Sequence, residues 1–199
     1  MSSSFSLKTW GCFALFFFGM LNLAQAGTHY AFVKFEANGR TVTGNTDITN
    51  IGGEELPRGE WIQCKRVTYG LKRDIGTGAR VSGHTHYDRI EFDMPQGPAT
   101  PMLMQALERG HTVNATIKFF HNRRDGQEEK YMELSAFEGR LSDIQIVNRQ
   151  RPDAEGTSTV EGEANMIVHY AYHSMNIEHV GEDGESSARF AWESSGLRA

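Results

Sequence analysis

Apolar and polar residues alternate along much of this chain, which is the pattern of β-strands rather than of helices. Ile90, Phe92 and Met94 alternate with charged residues, and residues 113–119 repeat the same pattern. The polar run 122–126 ends in Asp-Gly, a strong signal for a hairpin turn, and alternation then resumes over 132–136. Further strands are predicted over residues 61–71, 140–148, 163–173, 175–180 and 189–192.

The first predicted strand, 28–35, carries apolar residues on both faces. Val33 and Phe35 lie on one face, and Tyr30 and Phe32 on the other, so we expect little solvent on either side. From 36 to 60 the alternation gives way to Gly, Asn and Thr, with few apolar anchors. We predict a surface connection of about 25 residues there, a length typical of functional loops. Shorter loops are predicted over 72–83 and 150–159.

One stretch follows helical rules instead. Leu103, Ala106 and Leu107 recur at helical spacing and are predicted to face the core. Thr100 is suited to cap the helix, Pro101 to its first position and Gly110 to its end. The chain is therefore mainly β, with roughly eight or nine strands and one short helix. So small a helix cannot cover both faces of such a sheet, which predicts a sandwich or barrel in one domain over residues 27–199.

Residues 1–26 are predicted to be a signal peptide. Lys8 precedes an apolar run over 10–23, and Ala24 and Ala26 fit a cleavage site before Gly27. The run of about 14 residues is short for a membrane span, which needs roughly 20, although a retained anchor is the alternative. No other stretch is as apolar, so the mature chain is not expected to insert stably into a membrane.

Net charge limits the partners expected of the chain, and cysteine content limits its disulfides. The full chain has 20 basic and 25 acidic residues; cleavage removes Lys8 and leaves 19 against 25, a formal charge of −6. A negative chain is not expected to attract nucleic acid over long range. Cleavage also leaves Cys64 as the one remaining cysteine, so no internal disulfide is expected.

The sequence contains no recognisable catalytic motif, and we assign no catalytic, cofactor-binding or metal-binding residues. Nucleophile-elbow, phosphate-loop and zinc-protease patterns are all missing. His84 and His86 share one side of an extended segment, but no spacing fixes a third ligand. His169 is predicted to face outward from its strand. The chain is therefore expected not to be an enzyme.

Several short patterns together resemble the haemolysin co-regulated protein (Hcp) family. They are Gly-Ala-Arg-Val at 78–81, Ala-Thr-Pro-Met-Leu at 99–103 leading to Leu107 and Gly110, and then Gly126 and Tyr131 after the next strand. The late pattern Tyr172, Ile177 and His179, followed by Trp192, is also similar to the end of that domain.

The resemblance implies a β-barrel with one flanking helix and no catalytic residues. It implies a homo-hexameric ring, and rings that stack into the inner tube of the type VI secretion system. Sheath, spike and effector proteins would be its partners, and it would be secreted with effectors. The loop that reaches a neighbouring ring corresponds to residues 36–60, with these candidate stacking residues: Arg40, Thr43, Asn45, Asp47, Thr49, Asn50, Glu54 and Glu55.

The predicted signal peptide departs from the family pattern, because tube proteins of this kind leave the cytoplasm without one. Either the chain is an exported relative that reaches the periplasm, or translation starts at Met20. Two other functions stay open. One is an exported β-barrel that binds a small ligand in the periplasm. The other is a metal-dependent enzyme built on His84 and His86.

Overall fold

A computed structural model describes residues 29–75, 81–123, 125–149, 163–181 and 186–193. These residues form antiparallel strands and one helix, α1, Ala99–Glu108. The strands are β1 His29–Ala37, β2 Arg40–Thr41, β3 Asn50–Ile51, β4 Glu54–Glu55, β5 Ile62–Cys64, β6 Arg66–Thr68, β7 Leu71–Ile75, β8 Val81–Tyr87, β9 Ile90–Pro95, β10 Val113–Asn122, β11 Glu128–Arg149, β12 Glu163–Ala171, β13 Ser174–Val180 and β14 Ser186–Glu193.

The main sheet curves back on itself, and we call the resulting path of paired strands the circuit. Its strands pair in the order β2-β1-β10-β11-β12-β9-β6, and β5, which directly precedes β6, pairs with β1. The pairing path therefore returns to its first long strand and surrounds the core. β13 pairs with β11 and carries β14 at its outer side, while β3–β4 and β7–β8 are separate hairpins.

Strand β11 joins the two halves of the circuit. Its first half pairs with β10 and β13, and its second half pairs with β12. The sequence predicted two strands here, but the structure has one strand of 22 residues. Glu138, with a positive φ of 52°, marks the irregularity between the halves and shifts the alternation that suggested a break.

Side chains fill the inside of the circuit. Phe35, Ile117, Leu134 and Tyr170 are fully buried there, and α1 packs against the same cluster. Phe32 is also fully buried, although it points to the opposite face of β1. The prediction that β1 has little solvent on either face is confirmed.

The helix lies where predicted, but its start differs. It begins at Ala99, so Thr100 is inside the first turn rather than the cap, and Pro101 is the third helical residue. Proline is tolerated there because the first-turn N–H groups have no partner within the helix. Gly110, at φ 60°, closes the helix as predicted: its N–H donates to Leu107, and the next N–H donates to Ala106.

Two predicted elements, one strand and one loop, need correction. The predicted strand 61–71 is divided into β5 and β6, and the predicted loop 72–83 contains most of hairpin β7–β8. The turn predicted at the polar run 122–126 is confirmed, with the N–H of Gly126 donating to the carbonyl of Arg123. No helix in the described ranges is long and apolar enough to cross a membrane. The predicted signal peptide and the predicted loop 150–159 lie outside the described residues.

Candidate assembly interface

The segment between β2 and β5 is packed onto the outer face of β1 and β10. Ile51 and Leu56 from this segment join Trp61 over the outward-facing Phe32 and Phe120 in a second apolar cluster. Val42, also from the segment, is buried in the main core. The prediction of few apolar anchors in 36–60 is therefore wrong, because these anchors lie too far apart in sequence to form a periodic pattern.

Backbone contacts fix the first part of this segment. The N–H groups of Asn45 and Thr46 both donate to the carbonyl of Trp61, and the N–H of Gly44 donates to Gly59. A Cβ at position 44 would lie 2.1 Å from the carbonyl oxygen of Trp61, so only glycine fits there without a backbone shift. The segment is therefore an ordered layer on its own barrel.

Glu54 forms an ion cluster beneath the β3–β4 hairpin. Its carboxylate lies 2.5 Å from Lys118 Nζ and 2.6 Å from Lys130 Nζ, and Lys130 also contacts Glu133 at 3.1 Å. Burial opposes the charge on Glu54, but hydrogen bonds from Lys118 and Lys130 outweigh it and lower the pKa. Burial likewise opposes the charge on Lys130, yet its bonds to Glu54 and Glu133 raise the pKa.

The other candidate stacking residues remain on the surface. Arg40, Thr43, Asn45, Asp47, Thr49, Asn50 and Glu55 are all exposed, whereas Glu54 is partly buried. Asp47 pairs with Arg58 at 2.9 Å, but both side chains are more than three-quarters exposed, so this contact adds little stability. Ile48, which lies between Asp47 and Thr49 in the sequence, is 38% exposed. The segment thus presents a mostly polar outer surface and an apolar inner one.

The helix residues divide into two groups. Leu103 and Ala106 are buried, and Ala99, which the spacing argument missed, is buried with them. Leu107 packs against the core but stays partly exposed. The helix face is therefore centred closer to Leu103 than the sequence suggested.

His169 faces outward from β12, as predicted, into a set of charged residues. Its Nε2 lies 3.3 Å from Glu91 and its Nδ1 lies 3.3 Å from Asp143, while Arg66 contacts the other oxygen of Glu91 at 2.9 Å. Each ring nitrogen therefore has one carboxylate partner, and the two carboxylates together hold the imidazole in place. These contacts come from four strands and no sequence spacing could show them.

Candidate chemistry elsewhere is limited. Among the described residues, no three His, Cys, Asp or Glu side chains are grouped so that they could hold a metal ion. The side chain of His84 lies outside the described part of the chain. Cys64 is buried, and burial together with the nearby charge of Asp93 raises the pKa of its thiol, so it is a poor nucleophile.

Aromatic rings tie the β7–β8 hairpin to the last strand. Tyr87 stacks on Trp192 with ring centroids 3.6 Å apart, and Tyr172 meets Trp192 edge-on at 5.6 Å. Burial, together with the nearby Tyr87 and Asp88, raises the pKa of Tyr172 to about 12, so its hydroxyl stays neutral at physiological pH. Trp192 is therefore a packing residue.

Comparison with known proteins gives one consistent result. Residues 42–179 match the family described as "Type VI secretion system effector, Hcp". No curated protein matches the chain. The crystal structure of an Hcp protein is 17% identical to this chain and has a TM-score of 0.63, and the match covers 82% of this chain and 99% of that one.

Two further solved structures have the same fold. A mutant of Hcp1 from the E. coli EAEC 042 pathovar is 14% identical, with a TM-score of 0.61, and the match covers 83% of this chain and 97% of that one. A type VI secretion system effector from Yersinia pestis is 11% identical, with a TM-score of 0.56, and the match covers 82% and 98%. At such low identity these structures establish the fold alone.

Proposed function

The chain belongs to the Hcp family of type VI secretion system effectors, and from this we propose that it is a structural and carrier protein of that system. In this proposal six copies form a ring, rings stack into the inner tube, and the tube protein leaves the cell with effectors. Its partners are further copies of itself and the sheath, spike and effector proteins. It performs no catalysis.

The observation that carries the proposal is the family match over 42–179, most of the described domain. The packed interior supports the same reading. Phe35, Ile117, Leu134 and Tyr170 occupy the space that a ligand-binding barrel would leave open. This packing favours a structural protein over an exported small-ligand binder.

We assign ring stacking to the exposed residues of the outer segment, chiefly Thr43, Asn45, Asp47 and Thr49. They lie between the buried anchors Val42 and Ile51, so they are presented on an ordered layer rather than on a free arm. An ordered polar surface loses little conformational entropy on binding, which favours a repeated contact between identical rings. Glu54 has a different role, since it holds the hairpin to its own barrel.

The test is the oligomeric state of the purified protein. Light scattering and native mass spectrometry should give a hexamer, because stable rings need interfaces of at least about 1,000 Å² that persist on dilution. A chain that stays monomeric at high concentration in both low and moderate salt would contradict the ring and favour the ligand binder.

A further inference from the structure

A basic cleft lies at the carboxyl end of α1, where three separate parts of the chain meet. Its volume is about 380 Å³, and its charged and imidazole groups are Arg40 from β2, Arg109 just after the helix and His111 from the connection to β10. Among the described residues, no acidic side chain lines the cleft, and none of these three groups makes an ion pair. A chain with a formal charge of −5 therefore carries a locally positive concave site.

The register of the sheet directs Arg40 into this cleft. Arg40 pairs with Ala37 across the β1–β2 turn, and Ala37 pairs with the buried Val113. Paired residues of antiparallel strands lie on one face of the sheet, so Arg40 leaves β2 on the side of the main core. The helix packs against that same core and ends beside the turn, which brings the guanidinium of Arg109 to the same cleft.

The end of the helix does not repel an anion here. The carboxyl end of a helix carries a partial negative charge on its free carbonyls. In this chain the carbonyl of Ala106 accepts the N–H of His111. Arg140 Nη1 donates to the carbonyl of Gly110 at 2.9 Å and brings a further positive charge to the helix end. The field next to the cleft is therefore favourable to a negative ligand.

We propose that this cleft binds the phosphate group of a small phosphate ester. Each guanidinium presents a planar fork of N–H donors, and a phosphate offers three acceptor oxygens with a charge of about −1.5 to −2. A carboxylate has two oxygens and one charge, so it matches two guanidinium groups less well. The volume of about 380 Å³ is at the small end of the range for ligand sites, roughly 300–1,000 Å³.

The rest of the lining suits the organic part of such an ester. Val42 and Met102 supply apolar surface, and the side-chain amides of Asn38 and Gln105 supply hydrogen-bonding groups. This mixture of apolar surface and a few polar groups is typical of small-ligand sites. The proposal goes beyond the tube function and does not depend on it.

The experiment uses the purified full chain in a buffer without phosphate. Inorganic phosphate and glycerol 3-phosphate are titrated separately and followed by calorimetry, with acetate at equal ionic strength as the comparison. Arg40→Gln and Arg109→Gln each remove one cleft charge. Arg89→Gln is the matched control, because Arg89 is exposed, lies outside the cleft and loses the same charge. Vesicles that contain phosphatidic acid test whether the phosphate belongs to a lipid.

The natural chain should bind about one phosphate or phosphate ester and bind acetate more weakly. Each cleft variant should bind about tenfold more weakly or worse, the usual effect of losing a hydrogen bond to a charged group, and Arg89→Gln should bind normally. The proposal is overturned if neither phosphate compound binds, if acetate binds equally well, if Arg89→Gln weakens binding as much, or if only the vesicles bind.

Light scattering on the same samples separates this result from the tube function. Phosphate binding by a chain that stays monomeric would contradict the ring and leave the cleft assigned. Cleft variants that keep phosphate binding but change the mass of the ring would overturn the proposal, because the two arginines would then contact a second copy of the chain. Circular dichroism checks that the variants are folded, which is expected since both arginines are exposed.

Discussion

Gly139 is held at the point where β11 changes partners. A Cβ there would lie 2.3 Å from the ring of Tyr170 and 2.4 Å from the carbonyl oxygen of Ala171. The Tyr170 hydroxyl cannot easily move away, because it donates to Val113 O at 2.8 Å, with Ala136 O at 3.2 Å. Burial also raises the pKa of Tyr170, so the hydroxyl keeps its proton as a donor.

Gly139→Ala should therefore lower the free energy of unfolding by about 1–3 kcal/mol or more, as overpacked core sites do. Urea denaturation measures this change. The neighbouring Glu138→Gly is the control, since glycine suits the positive φ of that residue and should be neutral or slightly stabilising. Equal losses in both variants would mean that the bulge, rather than the Tyr170 contact, sets the cost.

Glu54→Gln should weaken the fold in a pH-dependent way. The folded state lowers the Glu54 pKa from 4.5, so its charge stabilises the protein above about pH 4.5 and this contribution is lost as pH falls through the lower folded value. At pH 7 the variant should lose about 1.5–3 kcal/mol, which is the usual contribution of hydrogen bonds to a charged group. The difference from the natural chain should shrink in acid.

Denaturant titrations at several pH values measure this, with Glu55→Gln as the matched control. Glu55 is the exposed neighbour, so its loss should be near zero at every pH. A pH-independent loss for Glu54→Gln would show that the carboxylate is held for its shape rather than its charge. The sequence alone grouped Glu54 with the stacking residues, because its partners Lys118 and Lys130 lie in distant strands.

For the helix, Leu103→Ala should cost about 2–5 kcal/mol, because Leu103 is fully buried and its removal leaves a cavity. Leu107→Ala should cost clearly less, since that side chain already meets solvent. Thermal or urea unfolding of the two variants compares them directly. A larger loss for Leu107 would mean that the helix is rotated relative to this packing.

Sequence patterns correctly predicted the elements whose structure is determined by residues close together in the chain. Strands β9 and β10, the turn before β11, the helix and its glycine end all follow from alternation, helical spacing or turn residues. The outer segment could not be predicted in this way, because its apolar residues are separated by polar ones and pack against distant strands. Ile51 and Leu56 pack over Phe32 and Phe120, and Val42 packs in the main core. The β7–β8 hairpin was hidden by its glycine-bearing connection.

At the scale of the whole molecule, surface substitutions should be able to prevent the stacking of rings without preventing the formation of each ring. Asp47→Lys with Thr49→Lys changes the exposed surface of the outer segment and leaves its buried anchors intact. This chain should fold and form rings of normal mass, yet fail to build long tubes in electron micrographs and sedimentation, because the reversed charge and the two longer side chains would disrupt a contact made by Asp47 and Thr49. Unchanged tubes would place the stacking contact elsewhere.

Deletion of the whole segment is a poorer test. Replacing residues 44–55 with a short linker would remove the buried Ile51 and the ion-paired Glu54, so we expect the shortened chain not to fold. Ile51→Asp is the matched control, since it places an unpaired charge in the second apolar cluster and should unfold the chain outright. The comparison separates a surface that contacts partners from a layer that stabilises the barrel.

The first and last described strands have different numbers of neighbours, so the two ends of the molecule should resist a pulling force unequally. β1 is held along one side by β10 and along the other by β2 and β5, whereas β14 pairs only with β13 among the described strands. A pull on the carboxyl end peels β14 away one hydrogen bond at a time. A pull on the amino end must break the pairing of β1 with neighbours on both of its sides, so an unfolding machine would meet less resistance at the carboxyl end.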